Sequence, residues 1–169
     1  MLNRREEVPD INLLDNVLGS KQVALRMLAA PINPSDLNMV EGIYGVKANL
    51  PAVGGNEGVA FVAQVGDQVT SVKPGDYVVP HVSGFGTWRT ELIASEEQVM
   101  KVPNNIPVAY AATLAVNPCT AYRLLKDFVS LKPGDYIIQN GANSMVGYAV
   151  VQLAKLAGFK TINVIRADR

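Results

Sequence analysis

Two stretches of the chain hold residues whose types and spacing suit chemistry. In Asn33 to Gly58, Tyr44 stands between Gly42 and Gly45. Glycine flanks leave a phenol uncrowded and let the backbone take positive φ. A phenol stays protonated at neutral pH, so it can offer a hydrogen bond or a proton to a ligand. The same spacing fits a turn whose tyrosine covers a core edge. The second stretch, Asn140-Gly-Ala-Asn-Ser-Met-Val-Gly, lies between a β run and a helical run. A glycine-rich turn there would present helix N-terminal amides to a pyrophosphate.

With Ala142, Ser144 and Gly147 at the three positions of the dinucleotide pattern G-x-G-x-x-G, only the third is glycine, the one used for close packing. An ordinary strand-to-helix turn therefore stands beside nucleotide binding. The next strand ends in Ile165-Arg166, with Arg169 close behind. A carboxylate at that point would bond a ribose 2′-hydroxyl, whereas an arginine accepts a 2′-phosphate and points to NADPH. Asp168 partly spoils the basic patch, and a solvated charge at a strand end is the alternative.

Several elements must position these residues. In Gln22-Val-Ala-Leu-Arg-Met-Leu-Ala-Ala, Val23, Leu25 and Met27 alternate with Ala24 and Arg26 before Pro31, which predicts a half-buried strand. Ser35 to Glu41 predicts a short helical turn with Ser35 as N-cap. Further strands are predicted from Val59, Tyr77, within Gly84 to Ser95, and from Gln98. Regular turn signals between them suggest an antiparallel barrel or sandwich.

After Pro103 the pattern changes. Val108 to Ala115 and Asn117 to Phe128 read as helices, the second with Ala121, Leu124, Leu125 and Phe128 on one face. Asp135 to Asn140, then Ser144 to Ala157 ending at Gly158, then Lys160 to Arg166 read as β-α-β, a parallel pair with a right-handed crossover. The turn Lys-Pro-Gly-Asp-Tyr occurs at Lys73 and again at Lys132. The expected domains are residues 1–104 and 105–169. A complete dinucleotide fold has about six parallel strands, and this sequence ends after the second, so a truncated chain or short isoform with exposed apolar faces is expected.

Composition narrows the function. An apolar share of 49% suffices for a core. Fifteen basic residues balance fifteen acidic ones, which favours neither nucleic acid nor an anionic membrane. Apolar runs fall short of a bilayer-spanning helix. One cysteine, Cys119, suits a reducing compartment, and with His81 alone beside it cannot complete an ordinary zinc site. Cys119 is expected to be a buried small apolar residue and His81 a surface residue. Trp88, the single tryptophan, either lines an acyl pocket or packs at a barrel mouth. Met1-Leu-Asn-Arg-Arg-Glu-Glu, with acidic residues directly after its arginines, is a poor transit peptide.

Asn33-Pro-Ser-Asp, Leu50-Pro-Ala-Val-Gly-Gly-Asn-Glu-Gly, Lys73-Pro-Gly-Asp, Gly86-Thr-Trp-Arg-Thr, Ala112-Thr-Leu-Ala-Val-Asn-Pro-Cys-Thr-Ala-Tyr-Arg and Thr161-Ile-Asn-Val-Ile-Arg closely resemble the mitochondrial 2-enoyl thioester reductases, a zinc-free branch of the medium-chain dehydrogenase/reductase superfamily. The resemblance runs from about Gln22 to Arg166 with its motifs in the family's order. It implies an α/β chain with an N-terminal chaperonin-10-like, partly open β-barrel followed by the first βαβ part of a Rossmann domain. It further implies a mitochondrial enzyme that uses NADPH to reduce trans-2-enoyl thioesters of coenzyme A or acyl carrier protein, as a homodimer. Zinc-dependent relatives carry a cysteine near Ser35 and a histidine at Asn56, so both ligands are replaced here.

By the same resemblance Tyr44 is the catalytic proton donor and Asn117 contacts the cofactor. Asn143, Ser144, Met145 and Val146 match the pyrophosphate loop, where Met145 replaces a glycine and is expected either to weaken binding or to force the loop outward. Arg166, Ala167 and Asp168 occupy the 2′-phosphate site, at which the family has Arg-Asp-Arg. A zinc-independent quinone oxidoreductase, or a non-catalytic binding fragment, are the rival readings.

Overall fold

The structure, a computed structural model, describes residues 18–47 and 49–167. Five strands form one antiparallel sheet: β1 (Gln22–Ala29), β2 (Val59–Val65), β3 (Tyr77–Pro80), β4 (Glu91–Ser95) and β5 (Val99–Val102), in the order β4-β1-β2-β3-β5. The order leaves β4 and β5 as edges, as in a partly open barrel. Val23, Leu25, Val62, Val78, Leu92 and Ala94 build the principal core from alternate positions of four strands. Ala24 is buried as well. The pairing of β1 with β2 shifts between Ala24 and Leu25 and again between Met27 and Ala29, bulges that bend the strand and break the predicted two-residue alternation.

A second cluster joins Val59, Val79 and Val102 to Ala111 and Ala112 of α2 (Val108–Ala112). It attaches the helical part of the chain to the sheet by small side chains that let the backbones approach. Beyond it lie α3 (Asn117–Lys126), β6 (Tyr136–Gln139), α4 (Met145–Ala157) and β7 (Lys160–Asn163). β6 and β7 pair in parallel, with Ile137 opposite Thr161 and Ile138 opposite Ile162. Ile138 is 73% exposed and Ile162 50%, an uncovered apolar face on a sheet type that is ordinarily covered on both sides. On α3 only Ala121 is buried, while Leu124 is exposed, as is Phe128 just beyond the helix end.

The two Lys-Pro-Gly-Asp turns use one solution. The Lys73 amide donates to Asp76 Oδ2 at 3.0 Å, and the Lys132 amide to Asp135 Oδ2 at 2.7 Å. Asp76 also meets Lys101 Nζ at 2.8 Å across β3 and β5. The Lys101 ammonium first, then the Lys73 amide, hold its carboxyl below the usual carboxylate range, although burial opposes them. A carboxyl lowered on folding stabilises the fold above its unfolded value, and that contribution disappears as pH falls through the folded value. Asp76→Asn should therefore melt below the parent at neutral pH, with the two melting curves converging below about pH 4. A constant gap across that range would refute the pairing.

Candidate active site

The helix α1 (Pro34–Val40) organises the tyrosine loop. Its N-cap is Asn33, not the expected Ser35, because Asp36 reaches back to the Asn33 amide at 2.7 Å and Pro34 fills the first helical position, where no N–H is needed. At the other end the main chain turns over Glu41 and Gly42. The amides of Ile43 and Tyr44 both donate to Asn38 O, at 3.0 and 3.1 Å. Tyr44 is thus fixed by its backbone to α1 while its side chain is 38% exposed. Ile43, Val46 and Leu50 in the same loop are exposed too.

Behind α1 lies a buried polar network. Asp36 Oδ1 accepts from both the main-chain and side-chain nitrogens of Asn56, at 3.1 and 2.7 Å. Asn56 Oδ1 in turn accepts from the Gly84 amide and the Ser83 hydroxyl. At the positions where zinc-dependent relatives were expected to bind metal, Asn56 is committed to protein partners and Ser35 takes no part. Glu57 is fully buried. Its Oε1 accepts from Asn33 Nδ2 at 2.7 Å and its Oε2 from the Val116 amide at 2.9 Å, while its carbonyl accepts from the buried Thr87 hydroxyl. Asn33 Oδ1 then accepts from Asn117 Nδ2 at 3.0 Å. Through Asn33 the network joins Asn117, at the start of α3, to the helix whose far end anchors the Tyr44 loop.

Glu57 and Asn33 were not among the residues singled out by type. A charged residue directly ahead of the apolar run that begins at Val59 was the available signal, since a carboxylate is buried only with donors around it.

The pyrophosphate-loop candidates converge elsewhere. Asn140, Gly141, Asn143, Ser144, Val164, Ile165 and Arg166 line a cleft of about 560 Å³ at the carboxyl ends of β6 and β7, the edge of an open α/β sheet at which ligands bind. Ser144 caps α4, its hydroxyl accepting from the Gly147 amide at 3.1 Å. An added Cβ at Gly147 would lie 2.5 Å from Ala142 O, so the third glycine serves close packing of the helix start on the preceding loop. Met145 opens α4 with its side chain 59% exposed; it and Val146 contribute the next amides of the helix terminus but do not line the cleft. Ala167 is exposed, and Asp168 lies outside the described residues. The residues fit a phosphorylated dinucleotide: the N-terminus of a thirteen-residue helix faces the cleft from one side and Arg166 from the other.

Trp88 covers the backbone of Gly54 and Gly55, and its Nε1 donates to Pro31 O at 3.3 Å. That is a packing contact on the Gly54–Gly55 backbone, with the tryptophan still 36% exposed. Cys119 is exposed, contrary to expectation. It sits about 200° around α3 from the buried Ala121, hence on the opposite face. His81 is exposed as expected.

Residues 19–104 match the alcohol dehydrogenase GroES-like domain. The chain belongs to that family. Within the GroES-like family it is 61% identical over 144 residues to the mitochondrial enoyl-acyl-carrier-protein reductase of Homo sapiens, covering 85% of this chain and 39% of the relative. Among solved structures, Etr1p of Candida tropicalis in complex with NADP and crotonyl-CoA matches with a TM-score of 0.85 at 38% identity, over 92% of this chain and 48% of that one. The Escherichia coli quinone oxidoreductase in complex with NADPH matches with a TM-score of 0.78 at 27% identity, over 88% and 45% of the two chains. The chain spans less than half the length of these relatives. Its fold is accordingly a GroES-like β domain followed by the opening βαβ of a Rossmann-type unit.

Proposed function

We propose that the chain forms the tyrosine-bearing and phosphate-binding part of a mitochondrial NADPH-dependent 2-enoyl thioester reductase. Residues 1–104 serve as the catalytic domain and 105–169 as cofactor domain. The observation that carries the reading is the cleft at the start of α4, where Asn143, Ser144 and Arg166 stand together. The human mitochondrial enoyl-acyl-carrier-protein reductase, and the mitochondrial 2-enoyl thioester reductase Etr1p, solved with NADP and crotonyl-CoA, support the substrate class and the compartment. Thioesters of coenzyme A or of acyl carrier protein both meet the chemistry, and a homodimer is the proposed assembly, by analogy with the Etr1p/Etr2p heterodimer.

The main-chain amides of Met145 and Val146, with Asn143 and the Ser144 side chain beside them, bind the pyrophosphate, since the Ser144 amide is spent on Gly141 O at 2.9 Å, and the Arg166 guanidinium takes the 2′-phosphate. Ala167 leaves that phosphate without a carboxylate at the next position. Asn117, at the start of α3, hydrogen-bonds the cofactor. NADPH supplies the hydride that reaches the substrate's β-carbon. Tyr44 hydrogen-bonds the thioester oxygen as negative charge gathers there and furnishes the proton that completes the saturated α-carbon. The apolar side chains exposed beside it, Ile43, Val46 and Leu50, offer the surface that an aliphatic acyl chain would cover.

The match to quinone oxidoreductase gives a second reading. Oxidation of NADPH followed with trans-2-hexenoyl-CoA and, separately, with a quinone distinguishes them. Formation of hexanoyl-CoA supports enoyl reduction. Quinone turnover alone supports the second reading, and a folded chain with neither activity supports a non-catalytic binding role.

A further inference from the structure

We propose that Glu57 is a positioning residue that fixes which face of the Asn117 amide is offered to a ligand. Val116 contributes a main-chain N–H to Glu57 Oε2 at 2.9 Å, and a main-chain donor cannot be exchanged for an acceptor. The other oxygen, Oε1, accepts from Asn33 Nδ2 at 2.7 Å. A carboxylate that meets donors at both oxygens forces the Asn33 amide to turn its NH₂ inward. Its Oδ1 then has to face Asn117, and it accepts from Asn117 Nδ2 at 3.0 Å. The remaining atom of that amide is Oδ1, to which no described residue donates.

Asn117 therefore presents an acceptor and selects a donor on its ligand, such as a sugar hydroxyl or a carboxamide NH₂. Two amides, each able to turn over, carry the polarity of one buried carboxylate from the GroES-like domain to the start of α3.

The relay makes an inverted prediction. In Glu57→Gln the Val116 N–H still demands an oxygen, so the new NH₂ points at Asn33. Asn33 turns over, Asn117 follows, and an NH₂ replaces the acceptor at the ligand face. In Asn117→Asp alone, a carboxylate faces Asn33 Oδ1, which Glu57 keeps in place. In the double variant Asn33 donates to the new carboxylate at position 117, whose other oxygen restores the outward acceptor.

The ligand half of this inference rests on the reading of Asn117 as a cofactor contact, so two measurements are paired. Titration with NADPH should give each single variant an affinity weakened about tenfold or more, and the double variant an affinity within about threefold of the parent. Losses that multiply to about a hundredfold in the double variant would overturn the relay. The second measurement uses ligand-free protein labelled with nitrogen-15 asparagine. The Asn117 side-chain NH₂ should exchange slowly in the parent and quickly in Glu57→Gln.

Unchanged exchange would overturn the relay even where NADPH binds. Failure of the parent to bind NADPH would overturn the cofactor reading while exchange still decides the relay. Should Glu57→Gln not fold, slow exchange in the parent and weakened binding in Asn117→Asp support the relay, and rapid exchange in the parent overturns it.

Discussion

Tyr44→Phe should lower the turnover of trans-2-hexenoyl-CoA by about a thousandfold while the affinity for NADPH stays within about threefold. The substitution removes one oxygen from a side chain that is 38% exposed. The loop is held to α1 through the amides of Ile43 and Tyr44, which the change does not touch. Folding and cofactor binding are thereby separated from proton supply. A loss confined to KM would assign the hydroxyl to substrate binding in the ground state. Full activity in the variant would remove Tyr44 from the mechanism.

The second large effect is on the fold that supports the site. Gly55 has φ of +96°, and an added Cβ would collide with the Thr87 hydroxyl and lie 2.6 Å from Trp88 Cδ1. Its carbonyl accepts from the Gly86 and Thr87 amides at 2.9 and 3.1 Å, so the segment has little room to retreat. Strain in the left-handed region and overpacking together should cost Gly55→Ala about 4 kcal/mol, a fall in melting temperature of about 10 °C. Gly75→Ala is the control, since Gly75 has a similar φ of +94° with nothing within 4 Å of its added Cβ. Its loss should be less than half as large. Equal losses would mean that backbone strain alone, without the Thr87 and Trp88 contacts, explains both.

Much of this architecture was legible in the residues. Alternation around Val23 and Leu25, the two Lys-Pro-Gly-Asp turns and the Gly158 stop of α4 located strands and helix with small boundary errors, because each rests on local backbone chemistry. The Ser144–Gly147 capping contact and the cleft beside Arg166 also follow from a strand, loop and helix in sequence. What sequence hid was tertiary. Asp36 captured the Asn33 amide and moved the helix start away from Ser35. Glu57 accepts from residues 24 and 59 positions away in the chain, a pairing that no periodicity encodes. Cys119 was expected to be buried because no histidine stands near it in sequence and a free cysteine usually packs as a small apolar residue, yet the fold turns its face of α3 outward.

Titration of the nitrogen-15-labelled chain with NADPH, and then with NADH, tests most directly the proposed binding of a 2′-phosphorylated dinucleotide at the start of α4 and Arg166. Saturable shifts of the Ser144, Met145, Val146 and Arg166 amides are predicted with NADPH, and an affinity for NADH weaker by about tenfold or more. Equal affinities would contradict the 2′-phosphate assignment to Arg166, and NADPH shifts that spare these four residues would contradict the site itself.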